Sequence, residues 1–162
     1  MEPIKLYNSG YLGIFNGAID WVDNNIVAVL LQGPPGADNI YTPNVEHNTY
    51  NQIAPHIVTS SDYTPVALDF KQISHHDPNT DDEIRYTSNP VVWGEVGNDY
   101  KVTITARFLV LVVSSNGGNE APSSGDPLLG WVDFGENGAM SNNADFAYTP
   151  SETGWFRIKK AL

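Results

Sequence analysis

The sequence predicts a mainly β protein: an antiparallel β-sandwich or partly open barrel with one short N-terminal helix. Three observations carry this expectation. Residues 101–113, KVTITARFLVLVV, form a long β-branched run without Gly or Pro. Roughly seven or eight strand-like runs follow one another with turn signals at short spacing. The 14 Gly and 11 Pro, with many Asn and Ser, supply those turns.

The 101–113 run is the expected central strand. Its first half alternates, with Val102, Ile104 and Ala106 on one side and Lys101, Thr103, Thr105 and Arg107 on the other. From Phe108 to Val113 both sides are apolar, so both faces are expected to be covered. A helix there would have to carry four Val and two Thr, which are poor helix formers.

From the N-terminus, residues 7–17 read as the one helix. Asn8 and Ser9 suit an N-cap, Tyr11, Leu12, Ile14 and Phe15 supply apolar bulk to lean on a sheet, and Gly17 suits the C-terminal turn. Gly10 and Gly13 weaken it. Residues 26–31 form a fully apolar strand. Residues 32–61 are irregular around Gly33-Pro34-Pro35-Gly36, with either a short helix near 45–53 or a functional loop. Residues 66–73, 84–87 and 91–96 read as strands, and Gly97-Asn98-Asp99 suggests a hairpin from 91–96 into the central run. Residues 114–126 form a long polar loop, expected to be mobile. Strands follow at 128–134, antiparallel to the central one, at 144–148 and at 155–158. The 162 residues are expected to make one domain.

The charge, 8 basic against 19 acidic residues, is −11 and disfavours nucleic acid or an anionic membrane as partner. With no cysteine, disulfides and thiolate chemistry are excluded. No secretory signal or membrane-spanning run is evident, so synthesis in the cytoplasm is expected.

Candidate chemistry is thin. His75-His76-Asp77 invites a metal, but neighbours on an extended chain point opposite ways. Asp77, Asn79 and Asp81 match the start of a calcium loop, which then fails at Asp82 and Ser88. Asp69, Glu95 and Asp133 are carboxylates with nothing to pair them for glycoside hydrolysis. No nucleophile elbow or phosphate loop is present, so no enzyme, cofactor or metal site is expected. Trp21, Trp93, Trp131 and Trp155 are either core or sugar-stacking rings. Tyr-Thr-Pro recurs at 41–43, 63–65 and 148–150, as strand-edge turns or as rings for a partner.

Two segments carry a likeness. One is Leu6-Tyr7-Asn8-Ser9, Phe15-Asn16-Gly17 and Ile19-Asp20-Trp21, followed by the 26–31 run. The other is Pro127-Leu128-Leu129-Gly130-Trp131-Val132-Asp133-Phe134-Gly135, followed by Phe146-Ala147-Tyr148 and Gly154-Trp155-Phe156. Together with Tyr41-Thr42-Pro43-Asn44 and the 107–113 run between them, they resemble a family of small virion proteins of tailed bacteriophages. The family has a compact turn where this chain has residues 114–126, and it lacks Gly-Pro-Pro-Gly.

The resemblance implies a capsid decoration or cement protein on the exterior of the virion. It would be a homotrimer that binds the major capsid protein between neighbouring subunits. A tail or head-fibre component binding host glycans is the alternative. Partner contacts are expected from an N-terminal arm, residues 1–6, through Pro3, Ile4 and Leu6; the same stretch also fits a strand of the domain itself. Further contacts are expected from the long loops, through Pro34, Pro35, Tyr41, Asn116 and Asn119.

Overall fold

The computed structural model describes residues 4–33, 41–76, 83–94 and 101–159. The chain runs β1 (Lys5–Leu6), α1 (Asn8–Phe15), β2 (Ile26–Gln32), two 3-10 turns (Tyr50–Gln52 and Ala54–His56), β3 (Val66–Ala67), β4 (Gln72–His76), β5 (Glu83–Thr87), β6 (Val91–Trp93), β7 (Val102–Val113), β8 (Leu128–Asp133), β9 (Ala139–Ala144), β10 (Phe146–Tyr148) and β11 (Phe156–Lys159). The architecture is mainly β, antiparallel and sandwich-like, as expected, and the sheets do not close into a barrel.

The main sheet has the order β1-β8-β7-β2-β3. β7 is its centre. It pairs with β2 from Ile26↔Val113 to Gln32↔Ala106 on one side. On the other it pairs with β8 over Phe108–Val112 and with β9 over Val102–Ala106. β8 and β9 are therefore one returning strand, interrupted by the excursion at 134–138.

The inward face of β7 changes parity along its length. Val102, Ile104 and Ala106 share one core with Leu109 and Leu111, while Phe108, Val110 and Val112 belong to another. The switch falls at Arg107, which the β2 register skips between Phe108 and Ala106. Phe134 N–H donates to the Arg107 carbonyl there (2.9 Å), and the Arg107 guanidinium pairs with Asp133 at 2.8 Å.

Both faces of the main sheet are covered, which is why β2 and the second half of β7 read as unbroken apolar runs. One face, Ile26, Ala28, Leu30, Leu109, Leu111 and Leu129, packs on a second β layer. That layer holds the β6–β10 pair and the sheet β11-β5-β4, with Trp21, Trp93, Tyr86, Trp155 and Phe156 in the interface. The other face, Val27, Val29, Leu31, Val110 and Val112, packs on Tyr7, Tyr41 and Ile53. The stretch expected to be irregular is thus the lid of the second core, and its 3-10 turns stand where a short helix was one expectation.

Several expectations are corrected. The described part of the strand expected at 91–96, Val91–Trp93, pairs with β10 and not with the central run, and the Gly97-Asn98-Asp99 turn lies outside the described residues. Residues 66–73 are not one strand. Asp69 Oδ1 accepts Phe70 N–H (2.9 Å), Phe70 adopts φ 49°, and the chain turns before β4. β9 was not foreseen, because Met140, Ser141, Asn142 and Asn143 lack an apolar alternation; its pairing with β7 holds it. The loop at 114–126 is tied down. Asp126 Oδ2 accepts the backbone N–H groups of Ser115 (3.0 Å) and Ser123 (2.7 Å).

α1 is the sharpest correction. Its N-cap is Tyr7, without a side-chain cap, and Asn8 and Ser9 lie inside the helix. The buried residues are Gly10 and Gly13, whereas Tyr11, Leu12 and Phe15 are 53%, 61% and 59% exposed. A Cβ on Gly10 would lie 2.1 Å from the Leu129 carbonyl oxygen of β8. Glycine is what lets the helix lie against the strand backbone, and Tyr7 N–H donates to that same carbonyl at 3.1 Å.

Alanine at position 10 would gain about 1 kcal/mol of helix propensity. Overpacking against a backbone that cannot retreat costs about 1–3 kcal/mol. Gly10→Ala is therefore expected to lower the urea unfolding midpoint, while Gly117→Ala, which meets open space, leaves it within error. Equal midpoints for the two variants would refute this packing.

Candidate protein-interaction surface

α1 turns its glycines inward, so its rings point out. The Tyr11 and Phe15 rings pack on each other at a tilt of 35° with centroids 4.6 Å apart, and no charged residue lies in the helix. They and Ile14 line a groove of about 210 Å³ together with Leu6, Phe156, Arg157 and Ile158. A second groove of about 430 Å³ adjoins it, sharing Leu6, Phe156 and Arg157 and reaching Ile4, Ser151, Thr153 and Trp155. From Ile158 the apolar face continues across the second sheet to its register partner Ile84, itself 39% exposed. On β4 the register partner of Ile84 is His75, and Ile73, two residues earlier and on the same face, is 49% exposed. Exposed apolar side chains grouped in this way make the face a candidate surface for meeting another protein.

The opposite face of the β11-β5-β4 sheet is ionic. Arg85 and Arg157 are direct register partners, which alone would be repulsive. Glu83 resolves this. Its side chain is fully buried and accepts Arg85 Nε at 2.5 Å and Arg157 Nη1 at 3.0 Å, with Lys159 Nζ at 3.9 Å. The hydrogen bond from Arg85 leads in holding its carboxyl below the usual Glu range, burial opposes it, and the charges of Arg85 and Arg157 assist.

Beneath the N-terminus of α1, Tyr7 OH and Tyr41 OH share a hydrogen bond of 3.0 Å, and Tyr41 OH meets His47 Nδ1 at 2.7 Å. Burial raises both phenols above the usual tyrosine value. Tyr63 OH accepts Leu30 N–H at 2.7 Å, and burial pushes Tyr148 up to about 12.

The residues expected to meet a partner fall out as follows. Ile4 is buried in the core and Leu6 is half-buried, and Lys5–Leu6 pairs with β8. The arm is thus, from Ile4 onward, an edge strand of this domain's own sheet; Leu6 nonetheless lines both grooves. Tyr41 is buried in the second core and not available to a neighbour. The Asn116 amide donates to the Ala121 carbonyl (2.7 Å), and Asn119 Oδ1 accepts Ala67 N–H (2.8 Å), so both fasten the 114–126 loop. Pro3, Pro34 and Pro35 lie outside the described residues.

All four Trp are core residues, three of them with the indole N–H bonded to Thr87 O, Thr64 O or Ser88 Oγ, so none is a sugar platform. The Tyr-Thr-Pro tyrosines pack inward likewise. His75 and His76 are exposed on β4, not in a loop, and Asp77, Asn79, Asp81, Asp82 and Glu95 lie outside the described residues. Among the described residues no three His, Asp or Glu side chains gather as metal ligands, and no helix is long and apolar enough to cross a membrane. Asp69 is exposed, and Asp133 is engaged by Arg107.

Sequence reasoning missed both halves of this surface. The helix pattern suggested inward-facing rings, and only the Gly10/Gly13 pair signalled otherwise. Glu83 sat at the edge of a polar stretch with no local sign of burial.

No family model, curated protein or solved structure matches this chain.

Two outcomes are expected. Replacing Tyr11 and Phe15 together by Ser should change stability by about 0.5 kcal/mol or less, as exposed positions do, while lowering the fluorescence of a bound apolar dye; a large loss of stability would show the rings to be core. Glu83 contributes stability that is present above the usual Glu range and lost as pH falls through its depressed value. Glu83→Gln should therefore lower Tm most at neutral pH, the gap to wild type closing on acidification. A gap independent of pH would refute the ionic account.

Proposed function

We propose that this chain is a structural component of a tailed-phage virion. It acts as a decoration or cement protein that binds the exterior of the shell between neighbouring major-capsid subunits, as a trimer, and stabilises the head. The observation that carries a protein-binding role is the outward face of α1. An eight-residue helix that hides two glycines and displays Tyr11, Leu12 and Phe15 is costly to leave in water, and a partner surface removes that cost.

The likeness of the N- and C-terminal segments to small virion proteins supports the virion as the setting. The −11 charge supports a protein partner over nucleic acid. A cement role requires only that the chain bind the assembled shell better than its free subunits, so that stabilisation follows by mass action.

Shells lacking this protein should bind it saturably in a sedimentation assay and regain resistance to heat. The Tyr11→Ser/Phe15→Ser variant should bind at least tenfold more weakly. Shells that neither bind the wild-type chain nor gain heat resistance would overturn the reading.

A further inference from the structure

We propose that the cleft between β1 and β11 is a strand-acceptor site, taking an extended segment of another protein in which apolar side chains alternate with acidic ones. This deepens the reading of the same face as a protein-binding surface, and it does not depend on which assembly the chain belongs to.

The cleft lies between two strand ends of the sheet order. β1 ends the main sheet and β11 ends the second, and among the described residues neither has a further strand on its outer side. The far end of the main sheet is treated differently. Beyond β3, β2 is closed by Tyr63 OH, which takes Leu30 N–H, and by Val58 N–H, which donates to Leu30 O at 3.0 Å. β4 is another outer strand, but all five of its residues are exposed, so it offers no buried apolar wall to an added strand. Between β1 and β11 a strand edge coincides with an apolar trough and with cationic neighbours, whereas the groove beside the outer strand β10 is lined by Asp133 and Asp145 and would repel an acidic segment. An added strand gains main-chain hydrogen bonds from the edge and side-chain pockets from the trough.

The lining sets the occupant. Leu6, Ile158 and Phe15, with the edge of the buried Phe156, offer apolar contacts, which suit every second side chain of an extended segment. The rim is cationic. Lys5 lies on β1, and Arg157 and Lys159 on β11: three of the eight basic residues of a chain whose net charge is −11. The side chains of Arg157 and Lys159 are 41% and 45% exposed even while they share Glu83. Glu152, in the turn before β11, is the one acidic residue in that stretch, and its backbone carbonyl lies 3.5 Å from Arg85 Nη1. Elsewhere the acidic surface would repel an acidic segment; here it is received.

The test uses the intact protein and an end-capped hexapeptide alternating Glu and Val. Its binding is followed by amide NMR, beside a Lys/Val counterpart and a Glu/Val version N-methylated at alternate residues. The Glu/Val peptide should bind saturably and slow amide exchange at Lys5–Leu6 or Arg157–Ile158. The Lys/Val and N-methylated peptides should each bind at least tenfold more weakly. Binding indifferent to N-methylation, or shifts confined to other strands, would overturn the proposal, as would no saturable binding at millimolar peptide. Because no shell is present, peptide capture without shell binding would sink the virion reading and leave the cleft standing. Shell binding without peptide capture would do the reverse.

Discussion

The structure depends on the pairing of β2 with β7 in the middle of a sheet buried on both faces. Seven residues of β2 meet β7 from Ile26↔Val113 to Gln32↔Ala106, and six of them are fully buried. Each such side chain contributes roughly 1.5–3 kcal/mol by leaving water. Neither face could be apolar alone: the second β layer covers one and the 41–58 stretch covers the other. Tyr41, which a loop-borne partner contact would have used, is absorbed in that cover together with Tyr7.

Once both faces are occupied, what remains for function lies at the margins. α1 sits against β8 on glycines, so its large side chains have nowhere to go but outward. β11 ends the second sheet beside β1, and the ionic cluster around Glu83 fastens β11 to β5. A protein built this way presents a rigid margin, with Tyr11, Phe15, Phe156 and Ile158 held in fixed relation. That rigidity lowers the ordering cost of any contact made there.

The central strand was legible because a both-faces-covered strand leaves an unbroken apolar run, and β7 reads so from Phe108 to Val113. The antiparallel return through β8 was legible for the same reason. Pairing that rests on backbone alone was not: β9 carries Met140, Ser141, Asn142 and Asn143, which have no alternation to read. The partner of β6 was misassigned because sequence proximity favours a hairpin, whereas Trp93 packs on Phe146 at 5.7 Å. The helix was placed correctly and oriented wrongly. Its apolar residues invited burial, but contact distance decided the orientation, and only a residue without Cβ could approach the Leu129 carbonyl. The surface therefore followed from a steric fact that hydrophobicity does not record.

One consequence of the central pairing concerns how the chain comes to exist. β2 is complete by residue 32, yet its partner stretch ends at 113, so a ribosome must add about eighty residues, several seconds of elongation at ordinary rates, before the two can meet. For that interval Ile26–Leu31 is an uncharged, β-prone segment in water, the composition that nucleates intermolecular stacking. Overproduction should favour insoluble product whenever emergence of the later strands lags. Slower initiation or lower temperature would relieve it without any change to the folded molecule.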